Sequence, residues 1–296
     1  MTWVRRKDID TAQVVELYCN QGLSCIQVSR ILGCDRNCVK HRLKEAGAQL
    51  RARSMSEHVR LGMRLSIALS DDLRSVLDGE ILGDGHLHSP AGFQAYFSES
   101  VGNDKKEWLE YVIKQFRDSD MVVKDRYPYF RKNKPGWGFA TCSTVELGEQ
   151  HRRWYVGNSH FDPLKPRSFS NRRFIKMVPH DVVLDKRSML HWFVGDGAVK
   201  CGGGSKLCTH GFSHDEIEFL RFRLAERFGI KTSHLAEGAI GLPKVELKKI
   251  LDVIGLCPVE CYVYKWDIDI TRQHAPRNDS IDMAAVERFM DRRKSF

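Results

Sequence analysis

Two short stretches hold the residues best suited to chemistry. "VLDGEILGDGHLH" (76–88) ends an apolar run in Gly83-Asp84-Gly85, and "MLHWFVGDGAVK" (189–200) does the same in Gly195-Asp196-Gly197, about 110 residues later. Each triplet follows about two turns of expected helix, "DLRSVLDGEIL" or "KRSMLHWFV". The glycines let the chain leave the helix by a positive φ or a close backbone approach. An aspartate at that tip meets the partial negative charge of the helix C-terminus, and a divalent cation compensates it best. Asp84 and Asp196 are therefore the expected metal-binding carboxylates, with Gly83 and Gly195 beside them in the metal site.

The surroundings of the two triplets repeat as well. After Asp84 comes a strand-like "GFQAYFSES" and the helix "DKKEWLEYVIKQF"; after Asp196 come "SKLCTHGFS" and "HDEIEFLRFRLAERFGI". Each copy then crosses a second polar strand region and closes on a helix, "TVELGEQHRRWY" or "KVELKKILDVI". The pattern is an internal duplication of an αββαββα unit, which predicts a pseudo-two-fold α+β body with both aspartates near its axis.

At this point the sequence resembles the LAGLIDADG homing endonucleases, in their monomeric two-repeat branch. "LDGEILGDG" (77–85) fits the nine-residue signature, "MLHWFVGDG" (189–197) its tryptophan-containing second copy, and "LCTHGFSHDEIEFL" and "YVYKW" (262–266) are similar too. The resemblance covers roughly residues 70–268. It implies two signature helices packed side by side, where Gly79 suits the close approach and His191 stands at the matching place in the second copy. It implies a saddle of antiparallel sheets over double-stranded DNA, and hydrolysis of both strands across the minor groove with Mg²⁺, Mn²⁺ being a substitute.

Carried over by motif position, Glu99 and His210 would orient the attacking water, and Lys244, with Lys265 of "YVYKW", would supply the basic catalytic groups. "FATCSTVEL" holds no lysine, so the first repeat lacks an evident basic partner. In "DRYPYFRKNKPGW" basic and aromatic residues interleave, and Arg126, Tyr129, Arg131, Lys132, Lys134 and Trp137 are expected at the DNA. "FSNRRFIKMVP" (169–179) joins the repeats and offers further phosphate contacts.

Ahead of this body, apolar positions Val14, Leu17 and Tyr18, then Ile26, Val28 and Leu32, then Val39 and Leu43 predict three short helices broken at Gly22-Leu23-Ser24 and at Gly33. Ser24 and Asp35 are the expected N-caps. The pattern resembles a helix-turn-helix DNA-binding module. Its third helix would offer Arg36, Asn37, Lys40, His41, Arg42 and Lys44 to phosphates and base edges. The expected organisation is a helix-turn-helix domain over 1–50, a basic linker over 51–69, repeats over 70–165 and 166–270, and a tail over 271–296.

Charge supports a nucleic-acid partner. The chain has 296 residues with 47 Lys and Arg against 38 Asp and Glu, a formal +9. Residues 1–65 alone hold 12 basic and 6 acidic side chains. No apolar run approaches the roughly 18 residues of a membrane span, so the reading is a soluble protein of the cytoplasm, or of an organellar matrix if organelle-encoded. Nine scattered cysteines without CxxC spacing predict reduced thiols and no zinc site. The competing functions are a transcription regulator that kept the fold and lost cleavage, and an RNA-splicing maturase. Retention of both aspartates favours the nuclease, working as a monomer with an internal pseudo-dimer.

Overall fold

Side-chain caps set where the chain turns helical. The computed structural model describes residues 9–21, 23–48, 50, 68–89, 94–124, 127–131, 134–162, 171–199, 205–267 and 280–294, with 127–131, 134 and 293–294 described by backbone alone. Asp10 accepts from the Ala12 amide at 2.9 Å and starts Thr11–Val15 (α1), which widens into a π turn through Asn20. Ser24 and Gln27 close a capping box on Cys25–Ile31 (α2), and Asp35 caps Arg36–Glu45 (α3) at 2.7 Å. Gly33, at φ +60°, makes the turn between α2 and α3. Val14, Tyr18, Val28, Val39 and Leu43 bury a small core of their own. Of the linker expected over 51–69, residues 51–67 lie outside the described residues.

From Ser70 onward one order of elements runs twice. Ser70 caps Asp71–Leu82 (α4), followed by His86–His88 (β1), Tyr96–Gly102 (β2), Lys106–Asp118 (α5), Tyr127–Arg131 (β3), Lys134–Ala140 (β4) and Val145–Trp154 (α6). Tyr155–Gly157 (β5) pairs with Phe174–Lys176 (β6) in a short ribbon between the copies. The second copy is Lys186–Asp196 (α7), Gly197–Val199 (β7), Ser205–Leu207 (β8), His214–Phe228 (α8), Ser233–Leu235 (β9), Ala239–Leu242 (β10) and Lys244–Ile254 (α9). Each copy forms an antiparallel four-stranded sheet with matching strand order, β1-β2-β4-β3 and β7-β8-β10-β9. A 3-10 turn, Glu260–Lys265, and a final helix, Met283–Lys294 (α10), complete the described chain. α10 packs on α8, the rings of Phe219 and Phe289 stacking at 4.3 Å. The tail stretch 271–279 lies outside the described residues.

Alternation decides which side of each sheet faces the helices. Phe97, Val101 and Phe139 are buried against α5, while Ser98 and Ser100 face outward. One hydrophobic core runs through both copies. At its centre lie α4 and α7, buried almost all round, as expected of helices packed on every side.

Gly79 makes their contact possible. A Cβ there would lie 2.4 Å from the Ser188 carbonyl oxygen and 2.7 Å from His191 Cβ. The residues on either side carry buried acids with opposite solutions. Asp78 is fully buried and takes Arg153 at 2.5 and 2.8 Å, Trp154 Nε1 at 2.9 Å and the Val183 amide at 2.8 Å. Glu80 has no cation. Burial pushes its carboxyl up to about 8, it shares a hydrogen bond with Glu99, and His191 Nδ1 lies 2.5 Å from its Oε1. Burial lowers His191 to about 3, so this contact joins neutral partners.

Gly79→Ala is expected to force α4 and α7 apart and cost roughly 1–3 kcal/mol by denaturant unfolding. Because Glu80 titrates higher folded than unfolded, its contribution to stability is full below its ordinary carboxylate range and is lost as pH rises toward about 8. Glu80→Gln should therefore flatten the loss of stability across that interval, measured as unfolding midpoints over a pH series.

Candidate active site

α4 and α7 end against each other. A Cβ on Gly83 would lie 3.4 Å from Gly195 Cα, and one on Gly195 only 3.3 Å from the Asp84 amide nitrogen. Bare glycine backbone at both tips therefore brings the next residues, Asp84 and Asp196, to one place. Asp84 is exposed and Asp196 half-buried. Burial, then the charge of Asp84, pushes the Asp196 carboxyl up to about 6, while Lys176 and Lys265 pull it back.

Those two lysines are the paired basic groups of the site. Lys265 Nζ is buried and donates to the carbonyls of Val194 and Gly197 at 2.6 Å and of Phe193 at 3.2 Å. Lys176 Nζ donates to the Ile81 carbonyl at 2.8 Å. Ile81 and Phe193 stand at the same place in the two signature stretches, three residues before each aspartate. Each lysine thus caps the negative end of one signature helix. Burial lowers both, Lys265 to about 8, and the two aspartates act in the opposite sense.

Lys265 was expected from the sequence; Lys176 was not. The first repeat draws its basic residue from β6, in the connector between the repeats, and not from the strand-to-helix junction. The signal was present in "RRFIKMV", where a lysine follows the closing helix of the first copy as Lys265 follows that of the second. Lys244, expected in this role, is buried in the first turn of α9, and the lysine charges that act on Asp196 are those of Lys176 and Lys265.

Two further expectations need correction. Glu99 is buried on the helix side of β2, paired with Glu80, hydrogen-bonded to Trp108 and within reach of the Asp84 charge. Its carboxyl is raised well above the usual range by burial and by the Glu80 charge. His210 is not its counterpart. His86 pairs with Ser98, so the next step sets Gly85 against Glu99, whereas Gly197 pairs with Leu207. Leu207 holds the matching position, and His210 is exposed in the turn beyond β8.

On the outer side of the first sheet the unassigned histidines of "HLH" form a wall beside Asp84. His88 stacks on Tyr96 at 4.8 Å and meets Ser98 Oγ at 2.9 Å; His86 Nδ1 meets Tyr155 Oη at 3.1 Å. Burial, with positive neighbours, lowers His86 to about 3. Period-two spacing directly after the triplet was the signal that could have found them.

Of the expected DNA contacts, Trp137 faces the helices, sharing the parity of buried Phe139. Its Nε1 donates to Asn103 at 2.8 Å and Lys106 covers its ring at 4.8 Å, and it stays half-buried. Tyr129, Arg131 and Lys134 fall on β3 and β4 by backbone; Arg126 and Lys132 lie outside the described residues. On α3, Arg36, Asn37, His41 and Lys44 are exposed and Lys40 and Arg42 half-buried, with His41 and Arg42 paired to Glu45 at 3.0 and 2.9 Å.

Among the described residues no helix is long and apolar enough to cross a membrane. An uncharacterised protein of Methanocaldococcus jannaschii is 28% identical over 72% of this chain and 77% of its own length. The cytochrome b mRNA maturase bI2 of Debaryomyces hansenii is 22% identical over 58% of this chain and 63% of its own. The fold is that of the homing endonuclease I-WcaI bound to its DNA recognition sequence, with a TM-score of 0.55 and 18% identity across 76% of this chain and 96% of that one. The model of the LAGLIDADG DNA endonuclease family matches residues 74–241, more than half of the sequence and both aspartate triplets, and the chain belongs to that family.

Proposed function

We propose that this protein is a site-specific endonuclease that cuts both strands of duplex DNA, acting as one chain whose two repeats each serve one strand. The observation that carries the reading is the meeting of the two helix tips, where Asp84 and Asp196 converge over Lys176 and Lys265. The donor set fits a hard divalent cation. It consists of carboxylate oxygens and backbone carbonyls, and the burial and the repulsion by Asp84 that raise Asp196 are the kind of penalty a bound cation relieves. Asp84 and Asp196, next to Gly83 and Gly195, would hold Mg²⁺ or Mn²⁺, which when bound activates water and stabilises the developing phosphate charge.

The chain's own groups do the rest. Lys176 and Lys265 hold positive charge under the scissile region while fixing the helix tips through the Ile81 and Val194 carbonyls. The neutral imidazole of His86, next to Asp84, adds a hydrogen-bonding wall without adding charge. The N-terminal helices act as a helix-turn-helix, with Arg36, Asn37, Lys40, His41, Arg42 and Lys44 on its reading helix, and tether the body to a longer site.

Cleavage of a randomised duplex library with Mg²⁺ tests the reading. Wild type should cut both strands at a defined site, either single variant, Asp84→Asn or Asp196→Asn, should cripple cutting, and the double variant should abolish it while still binding DNA. Selective binding without any cutting by wild type would make the chain a regulator on a nuclease fold. Cation affinity depends on an ionised Asp196, so at sub-saturating Mg²⁺ cleavage should fall as pH drops through about 6, and added Mg²⁺ should move that fall to lower pH. Lys265→Met removes a charge that lowers Asp196, so it should move that midpoint upward in the pH–rate profile, and Lys176→Met should do the same.

A further inference from the structure

A second cluster of ligating side chains lies in the second repeat, outside the site above. His214 opens α8, Glu218 follows one turn later on the same face, and His234 reaches them from β9. One potential ligand atom from each lies within 4.8 Å of the others. His234 Nδ1 is 2.8 Å from Glu218 Oε1, and the two imidazoles stack at 4.9 Å with planes 19° apart. Asp282 adds a neighbouring carboxylate, its Oδ2 3.4 Å from His214 Nε2.

We propose that His214, His234 and Glu218 bind a first-row transition-metal dication, zinc first among them. Two neutral imidazoles with one carboxylate suit zinc and its neighbours, whereas Mg²⁺ seeks oxygen alone. The ligands are held before any metal arrives. Glu218 is almost wholly buried, and Arg221 grips it at 2.6 and 2.7 Å while also binding Thr232 just ahead of β9. A metal would displace the hydrogen between His234 Nδ1 and Glu218 Oε1 and widen their 2.8 Å separation, with His234 carrying its proton at Nε2 instead. His214 is half exposed, which leaves an entry path and a position for water. The expectation against zinc rested on cysteine spacing, and this cluster contains no cysteine.

The site sits where the last helix docks. The Asp282 amide donates to Glu218 Oε2 at 2.9 Å, and Arg288 of α10 pairs with Asp215 of α8 at 3.1 Å. Metal held by Glu218 and His214 therefore fixes the surface that receives α10, and binding to the folded state alone raises its stability.

The test uses the full chain stripped with a chelator and titrated with Zn²⁺ in competition with a chromophoric chelator. One equivalent should bind, and the Asp84→Asn, Asp196→Asn double variant should bind it equally well. His214→Gln, at a half-exposed position that does not endanger folding, and His234→Ala should each weaken binding at least roughly tenfold. Zn²⁺ should raise the unfolding temperature of wild type and not that of the His214→Gln, His234→Ala double variant. Absence of binding, or binding unchanged in the histidine variants, would overturn the proposal.

Discussion

The backbone contact between α4 and α7 is the constraint on which everything else rests. No side chain fits between Gly79 and Ser188, so the helices cross at backbone distance, and their tips converge at Gly83 and Gly195. Two residues of like charge are thereby forced together at two negative helix ends. Burial first, and then that repulsion, raises the Asp196 carboxyl, and the lysines capping Ile81 and Val194 limit the rise. Packing thus creates the electrostatic tension between Asp84 and Asp196.

The same helix shows how surroundings, and not residue type, decide the state of a buried acid. Asp78 and Glu80 flank Gly79 and point to different neighbours. Asp78 meets a guanidinium, an indole and an amide, which together meet the needs of an anion. Glu80 meets a second carboxyl and a buried imidazole lowered to about 3, neither able to compensate a charge, so it keeps its proton. One helix therefore supports an ion pair on one side and a neutral acid pair on the other, and the neutral pair lies within reach of the Asp84 charge.

Sequence reading reached the duplication, the meeting of Asp84 and Asp196 near its axis, the Ser24 and Asp35 caps and the close approach at Gly79, because each is written in local pattern. It failed where partners come from distant segments. Lys176 reaches the first helix tip only because β5 and β6 pair across the connector, a ribbon too short to announce itself. The faces of Glu99 and Trp137 could not be read, because alternation gives two faces without saying which is open; both share the parity of buried Phe97 and Phe139. His210 was misaligned because the two copies differ in the length of chain between their first two strands, which shifts every position counted from the triplet.

Duplication also separates what must match from what is free to differ. Both copies keep glycine, aspartate and a capping lysine at the tips, where a change in one would unbalance the other. Their sheets have diverged. Beside Asp84 stand His86, His88 and Tyr96, packed ring on ring, while beside Asp196 the equivalent strands offer Ala198, Lys206 and Cys208. Two carboxylates at equivalent positions of the repeat are therefore set between chemically unlike walls. The two sides of the centre differ in chemistry, which a symmetric dimer of identical repeats could not achieve.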